Sequence, residues 1–128
     1  MTMHDNRGNP ETAASRRTVE RFDSALELLH GYYGNPLGAI DQALAEDPDF
    51  VLGHCFRATL MMLSGEGAAL PLLRESVEAG ERLTGSCNDR ERCHIAAARA
   101  WLDGDFERSV RLYGSILSDY ARDGLALQ

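Results

Sequence analysis

The sequence predicts an all-α protein built of antiparallel helix pairs, about six to seven helices in all. Three observations carry this. Apolar residues recur at the three-four spacing of a helix face through most of the chain. No segment alternates apolar and polar residues for a strand's length. Proline and glycine fall between the helical stretches, apart from Gly53, Pro71, Gly80 and Gly114.

Met1 to Ala14 reads as a polar tail, interrupted by Gly8, Asn9 and Pro10, and residues 15–128 as one helical repeat domain. Ser15 is placed to cap a first helix running to about His30, with Val19, Phe22, Ala25, Leu26 and Leu29 on one face. The run from Gly31 to Asn35 breaks it. A short second helix begins at Pro36 and ends near Ala45, burying Leu37, Ile40 and Leu44. Asp47 and Pro48 are read as the cap and first residue of a third helix reaching Ser64. That helix is apolar nearly all round, which predicts burial between neighbours. Gly65-Glu66-Gly67 ends it. A fourth helix spans about Ala68 to Leu83, and Pro71 lies in its first turn, where its missing N–H costs little. Asn88 or Asp89 caps a fifth helix to Leu102. Gly104 supplies the positive φ of a helix C-terminus, and Asp105 caps a sixth from Phe106 to about Tyr120. Asp123 is the candidate start of a seventh.

A formal net charge of −7 sets the chain against phosphate backbones and anionic membrane surfaces, so neither nucleic acid nor membrane is an expected partner. The longest apolar run, Leu60 to Leu63, is far too short to span a bilayer. All basic side chains are arginine, read as the codon bias of a GC-rich bacterial genome. Cys55, Cys87 and Cys93 are odd in number and share no C-x-x-C spacing, and the N-terminus has no apolar signal core. Both features predict a reducing, cytoplasmic setting.

Helix pairs in series suggest a repeat of about 34 residues, the tetratricopeptide period. With Gly104-Asp105-Phe106 as the turn of one repeat, Ala97 falls at the small position of its first helix. Ser109 and Tyr113 fall at the small and aromatic positions of its second. Leu37 to His54 fits the register in part: Ala39, Ala43 and Asp47-Pro48 match the end of a repeat.

The segments LGAIDQALAEDPDFVLGH (Leu37 to His54) and RERCHIAAARAWLDGDFERSVRLYGSILSDYARDGLAL (Arg90 to Leu127) resemble the N-terminal region of the tetratricopeptide repeat protein 38 family. The resemblance extends to Phe22-Asp23, and within the two segments it rests on Asp47-Pro48, Phe50-Val51, Gly53-His54, Arg90-Glu91, His94, Gly104, Phe106, Ile116-Leu117, Asp123 and Leu125-Ala126-Leu127. It implies a short tetratricopeptide-repeat-like solenoid with no established catalytic activity. Such a solenoid leaves an apolar face open at its end unless something caps it. Self-association, or folding back of the last residues, is expected to cover that face.

The His54-Cys55 and Cys93-His94 pairs invite a metal or nucleophile reading. Adjacent helical residues point about 100° apart, however, so neither pair faces one ion. Buried cysteines and hydrogen-bonded histidines are the expected outcome, and the chain is expected to be no enzyme and to need no cofactor or metal. Asp103, Asp105 and Glu107, like Glu46, Asp47 and Asp49, read as helix-capping carboxylates. In the repeat register, Glu91, His94, Ala98 and Trp101 share the concave side with Leu52, Cys55, Thr59 and Met62. These residues form the candidate groove for a protein or peptide partner. The alternative is an accessory domain that binds a small molecule or metal with His54 and His94.

Overall fold

The structure is a computed structural model and describes residues 2–31, 35–64, 69–123 and 125–126. Its elements are β1 (Thr2–His4), β2 (Pro10–Thr12), α1 (Arg16–Gly31), α2 (Pro36–Glu46), α3 (Val51–Ser64), α4 (Leu70–Glu81), α5 (Asp89–Leu102) and α6 (Phe106–Asp119). A 3-10 turn at Thr84–Ser86 precedes α5. The fold is all-α, with helices packing in consecutive pairs, an arrangement consistent with a helical repeat. The expected terminator Gly65-Glu66-Gly67 and the centre of the break after Gly31 lie outside the described residues.

Local chemistry explains most helix ends. Asn35 accepts from the Gly38 N–H, and Pro36 opens α2. Asn88 and Glu91 form a reciprocal capping box at α5. Asp105 accepts from the Arg108 N–H and starts α6, while Gly104 (φ +84°) lets the chain reverse between α5 and α6. The reversal lays α6 back along α5. Ser109 donates to the Ala97 carbonyl at 2.9 Å, each residue six from Asp103. The two small residues assigned to the repeat contact therefore touch.

Two expectations differ from the structure. Asp47 ends α2 and does not cap α3: its N–H donates to Ala43, and its carboxylate accepts from the Ala14 N–H at 2.8 Å. With that acceptor engaged, Pro48 and Asp49 form a turn, and α3 begins only at Val51. The segment expected to be a polar tail contains an antiparallel hairpin, with Met3 opposite Glu11. Each strand is three residues long, too short for alternation to register. At the other end, the Asp123 carboxylate accepts from the Leu125 and Ala126 N–H groups, but no seventh helix begins there among the described residues. Those two residues form a turn, and six helices are present among the described residues.

The main core centres on Phe22 of α1, whose ring meets Phe50 and Phe56 edge-on at 5.6 and 5.8 Å. Leu125 from the C-terminal turn joins the same core. A second cluster of Ala58, Leu73, Val77 and Ala98 binds α3, α4 and α5, with Met62 and Trp101 on its edge. Arg99 clamps Glu81 through two hydrogen bonds, of 2.9 and 2.6 Å, and ties α5 to α4. Within α3, a Cβ at Gly53 would stand 2.7 Å from the Leu44 side chain and 2.9 Å from the Phe50 ring, so hydrogen alone fits there.

Three glycine substitutions should separate backbone, packing and propensity effects. Gly104→Ala should lose about 1–2 kcal/mol through backbone strain alone. Gly53→Ala should lose about 1–3 kcal/mol through overpacking. Gly114→Ala, whose Cβ would meet nothing within 4 Å, should gain about 1 kcal/mol. Urea midpoints at unchanged slope report all three.

Candidate functional site

Two features stand out: a buried polar cluster and an open apolar cleft, joined by the C-terminal turn. The cluster is built on Arg90, the second residue of α5, whose side chain is fully buried. Its Nε donates to Asp123 Oδ2 at 2.7 Å and its Nη1 to the Pro10 carbonyl at 2.7 Å. Asp5 and Glu11 of the hairpin lie 3.8 and 3.9 Å away. His94, one turn along α5, places Nε2 2.8 Å from Asp123 Oδ2. An ionised carboxylate only accepts, so Nε2 carries the proton. Asp123 thus receives four donors: Arg90, His94 and the two backbone N–H groups of its own turn.

Glu91 faces the hairpin from the same helix. It accepts from the Thr12 N–H at 2.7 Å, the Thr12 hydroxyl at 2.8 Å and the Asn88 N–H at 3.0 Å. Asp23 of α1 accepts from the Asn6 N–H. The hairpin therefore binds to α5 and α1 chiefly through carboxylates.

These carboxyls do not behave alike. Burial pushes Asp123 up, but the hydrogen bond and charge of His94, with the Arg90 guanidinium, outweigh it and hold the group well below the usual carboxylate range. Burial pushes Glu11 up to about 9. Arg90 lowers it only in part, and Asp5, Asp23 and Glu91 add to the rise. Neither Glu11 oxygen has a hydrogen-bond partner among the described residues, so nothing stabilises its ionised form. Burial likewise raises Asp23 to about 6. The thiols are also kept un-ionised: burial pushes Cys87 up to about 11, Cys55 higher still and Cys93 upward, so none is an activated nucleophile.

The cleft has a volume of about 380 Å³ and lies between the ends of α3 and α5, the outer face of α6 and the C-terminal turn. Thr59, Met62, Leu63 and Trp101 form one side; Val110, Tyr113, Gly114 and Leu117 form the other; Leu125 and Ala126 contribute the wall from the turn. The three hydroxyls of the lining are already engaged. Thr59 donates to the Cys55 carbonyl, Ser109 to the Ala97 carbonyl, and the Tyr113 hydroxyl lies 3.9 Å from Met62 Sδ. Around the cleft, Leu63 is 56% exposed, Val110 66% and Phe106 52%, and the Phe106 ring packs edge-on against Trp101 at 4.7 Å.

Of the groove residues proposed from the repeat register, Thr59, Met62 and Trp101 meet at this cleft. Leu52, Cys55 and Ala98 are buried in the cores, Glu91 under the hairpin, and His94 against Asp123. The two imidazoles have separate partners, since His54 Nε2 bonds the Pro48 carbonyl at 2.8 Å. Among the described residues, no group of three or more His, Cys, Asp or Glu is placed to hold a metal ion. No helix among them is long and apolar enough to cross a membrane. Leu125 and Ala126 are buried, and Leu127 and Gln128 lie outside the described residues.

Sequence reasoning missed the α6 wall. Its signal was available: Phe106, Val110, Tyr113, Gly114 and Leu117 follow helical spacing and form a second apolar stripe beside the one that meets α5. It also missed the cluster, whose members Asp23, Arg90-Glu91, His94 and Asp123 come from distant parts of the chain. No family model matches the chain, and no solved structure matches it.

The sign of the Glu11 effect follows from its raised value. Its contribution is full below about 4.5 and is lost progressively as pH rises toward about 9. Glu11→Gln should therefore be more stable than wild type at pH 7, by about 2–4 kcal/mol, with a flatter stability–pH curve. Removing the Arg90 charge with Arg90→Met should instead lose about 3–5 kcal/mol, because Asp123 stays buried with one of its two charged partners gone. Denaturant melts from pH 5 to 9 test both.

Proposed function

We propose that this chain is a non-catalytic helical-repeat scaffold of the tetratricopeptide kind, which binds an apolar segment of a protein partner in the cleft beside Trp101. One observation carries the reading. The cleft walls are almost wholly apolar, their hydroxyls are internally bonded, and the exposed side chains of Leu63 and Val110 on its walls, with Phe106 beside Trp101, widen the patch. A contiguous apolar surface of this kind marks an interaction site more often than a bare wall. The stripe on α6 has the spacing that receives another helix, with Gly114 as the point of closest approach. Its charged flank, Glu107 and Arg111, suits a polar rim.

The same face would accept a second copy of the chain, so self-association is the homotypic form of the same contact. The resemblance to the tetratricopeptide repeat protein 38 family supports a scaffold over an enzyme. Three unpaired thiols suit a reducing, cytoplasmic setting, and the lysine-free composition suits a bacterial one. The alternative, a small-molecule or metal site built on His54 and His94, gains no support from the geometry, because each imidazole is bonded on its own side of the molecule.

Gly114→Trp offers a direct test, since the new side chain enters open space and fills the cleft without entering a core. A displayed library of amphipathic helical peptides should yield ligands that shift Trp101 fluorescence in wild type and bind at least tenfold more weakly to Gly114→Trp and to Trp101→Ala. Sedimentation should show any dimer dissociating in the same variants. Ligands that bind the filled cleft unchanged would remove this reading.

A further inference from the structure

We propose that the N-terminal hairpin is a proton-linked clasp on the cleft. Closing the hairpin onto α5 requires a proton on Glu11, and the closed hairpin, acting through Arg90 and Asp123, sets the Leu125–Ala126 turn that walls the cleft. The inference needs only the cleft wall and stands whether or not a partner binds there.

The geometry has two parts. The first is the demand for a proton. Glu11 is fully buried with both oxygens unpartnered, and its nearest cation, Arg90 Nη1, is 3.9 Å away. That guanidinium gives its Nε to Asp123 and its Nη1 to the Pro10 carbonyl, and its Nη2 lies 3.8 Å from Asp5 without a hydrogen bond among the described residues. The other groups facing Glu11 are anionic: Asp5 from the hairpin, Asp23 from α1 and Glu91 from α5. From α3, which also packs on β2, the nearby titratable group is the Cys55 thiol, which burial and Glu91 keep uncharged. His94 is bound to Asp123. Arg90 is shared among Glu11, Asp5 and Asp123, and Arg7 and Arg16 act on Asp23, so an ionised Glu11 has no counterion of its own.

The second part is the relay. Arg90 holds the hairpin at Pro10 with one nitrogen and Asp123 with another. Asn9 donates to the Arg122 carbonyl at 3.1 Å, a direct bond from the hairpin to the C-terminal segment. Asp123 then fixes the Leu125 and Ala126 N–H groups, and these two residues line the cleft. When the hairpin leaves, Arg90 loses the Pro10 carbonyl and Arg122 loses Asn9, so the turn is held by fewer bonds.

Burial, which raises Glu11 to about 9, supports the same conclusion. An open hairpin returns the carboxyl to water and its ordinary value near 4.5, so closure takes up one proton between those limits. Opening then becomes about tenfold easier per pH unit across that range. Asp23 acts with the same sign, but only up to about 6. Measurements from pH 6.5 to 8.5 therefore isolate Glu11.

Amide hydrogen exchange on the full chain, corrected for intrinsic rates, tests the clasp. In wild type, protection at Thr12, Leu125 and Ala126 should fall together, about tenfold per pH unit from pH 6.5 to 8.5, while Phe56 in the core stays level. Glu11→Gln should give flat profiles at all three positions, and Glu11→Leu should do the same if the amide packs poorly. A fall at Thr12 without one at Leu125 and Ala126 would break the relay. A wild-type slope retained in both Glu11 variants would assign the proton elsewhere, and an equal fall at Phe56 would make the event global unfolding; either result overturns the proposal.

Discussion

The structure depends on one buried anion. Burying a carboxylate is costly unless its acceptor sites are filled, and Asp123 is filled completely. Two donors come from adjacent turns of α5 and two from the backbone beyond Asp123 itself. The arrangement explains why the chain after α6 returns to the protein and why Leu125 reaches the main core. It also explains why Arg90 can be buried at the start of a helix. Its charge is matched by Asp123, and the hairpin brings the Pro10 carbonyl to its Nη1 and the Asp5 carboxylate within 3.8 Å of its Nη2. Both ends of the chain are thereby tied to α5.

That arrangement leaves α6 with one partner and two apolar faces. Ser109 and Ile116 are buried, with Ser109 bonded to α5. Among the described residues, the other stripe meets only the edge of α3, the Trp101 ring and the folded-back turn. The turn covers part of the stripe and leaves Val110 exposed. The cleft is thus a packing remainder: a helix patterned for two neighbours has one and a fraction. This physical origin favours a helix, or a segment shaped like one, as its natural occupant.

How far the sequence could be read depended on the range of each interaction. Asn88, Gly104 and Asp105 were legible because a cap acts over three residues and a tight turn over one or two. Ala97 and Ser109 were legible because the short turn between α5 and α6 makes their meeting almost a local event. Asp47 was misplaced because its carboxylate accepts equally well from any N–H, and the one it finds belongs to Ala14. Glu91 and His94 were read as groove residues on the concave side of α5, but they lie under the hairpin and against Asp123. What covers them comes from elsewhere in the chain: Thr12 meets Glu91 across 79 positions and Asp123 meets His94 across 29. The hairpin left no trace in the pattern, since its strands are too short and its stability comes from the carboxylates it meets.

By itself, the sequence determined the helices, the pairing of α5 with α6 and the all-α class. These follow from periodicity, caps and turn residues that act between near neighbours. The tertiary structure alone decided which polar residues would be buried together, and so which face of the molecule would stay open. Charge pairing and burial join residues from opposite ends of the chain, and no local pattern specifies such a meeting. The acid in the cluster that binds a proton most tightly, Glu11, lies in the segment whose sequence looked least structured.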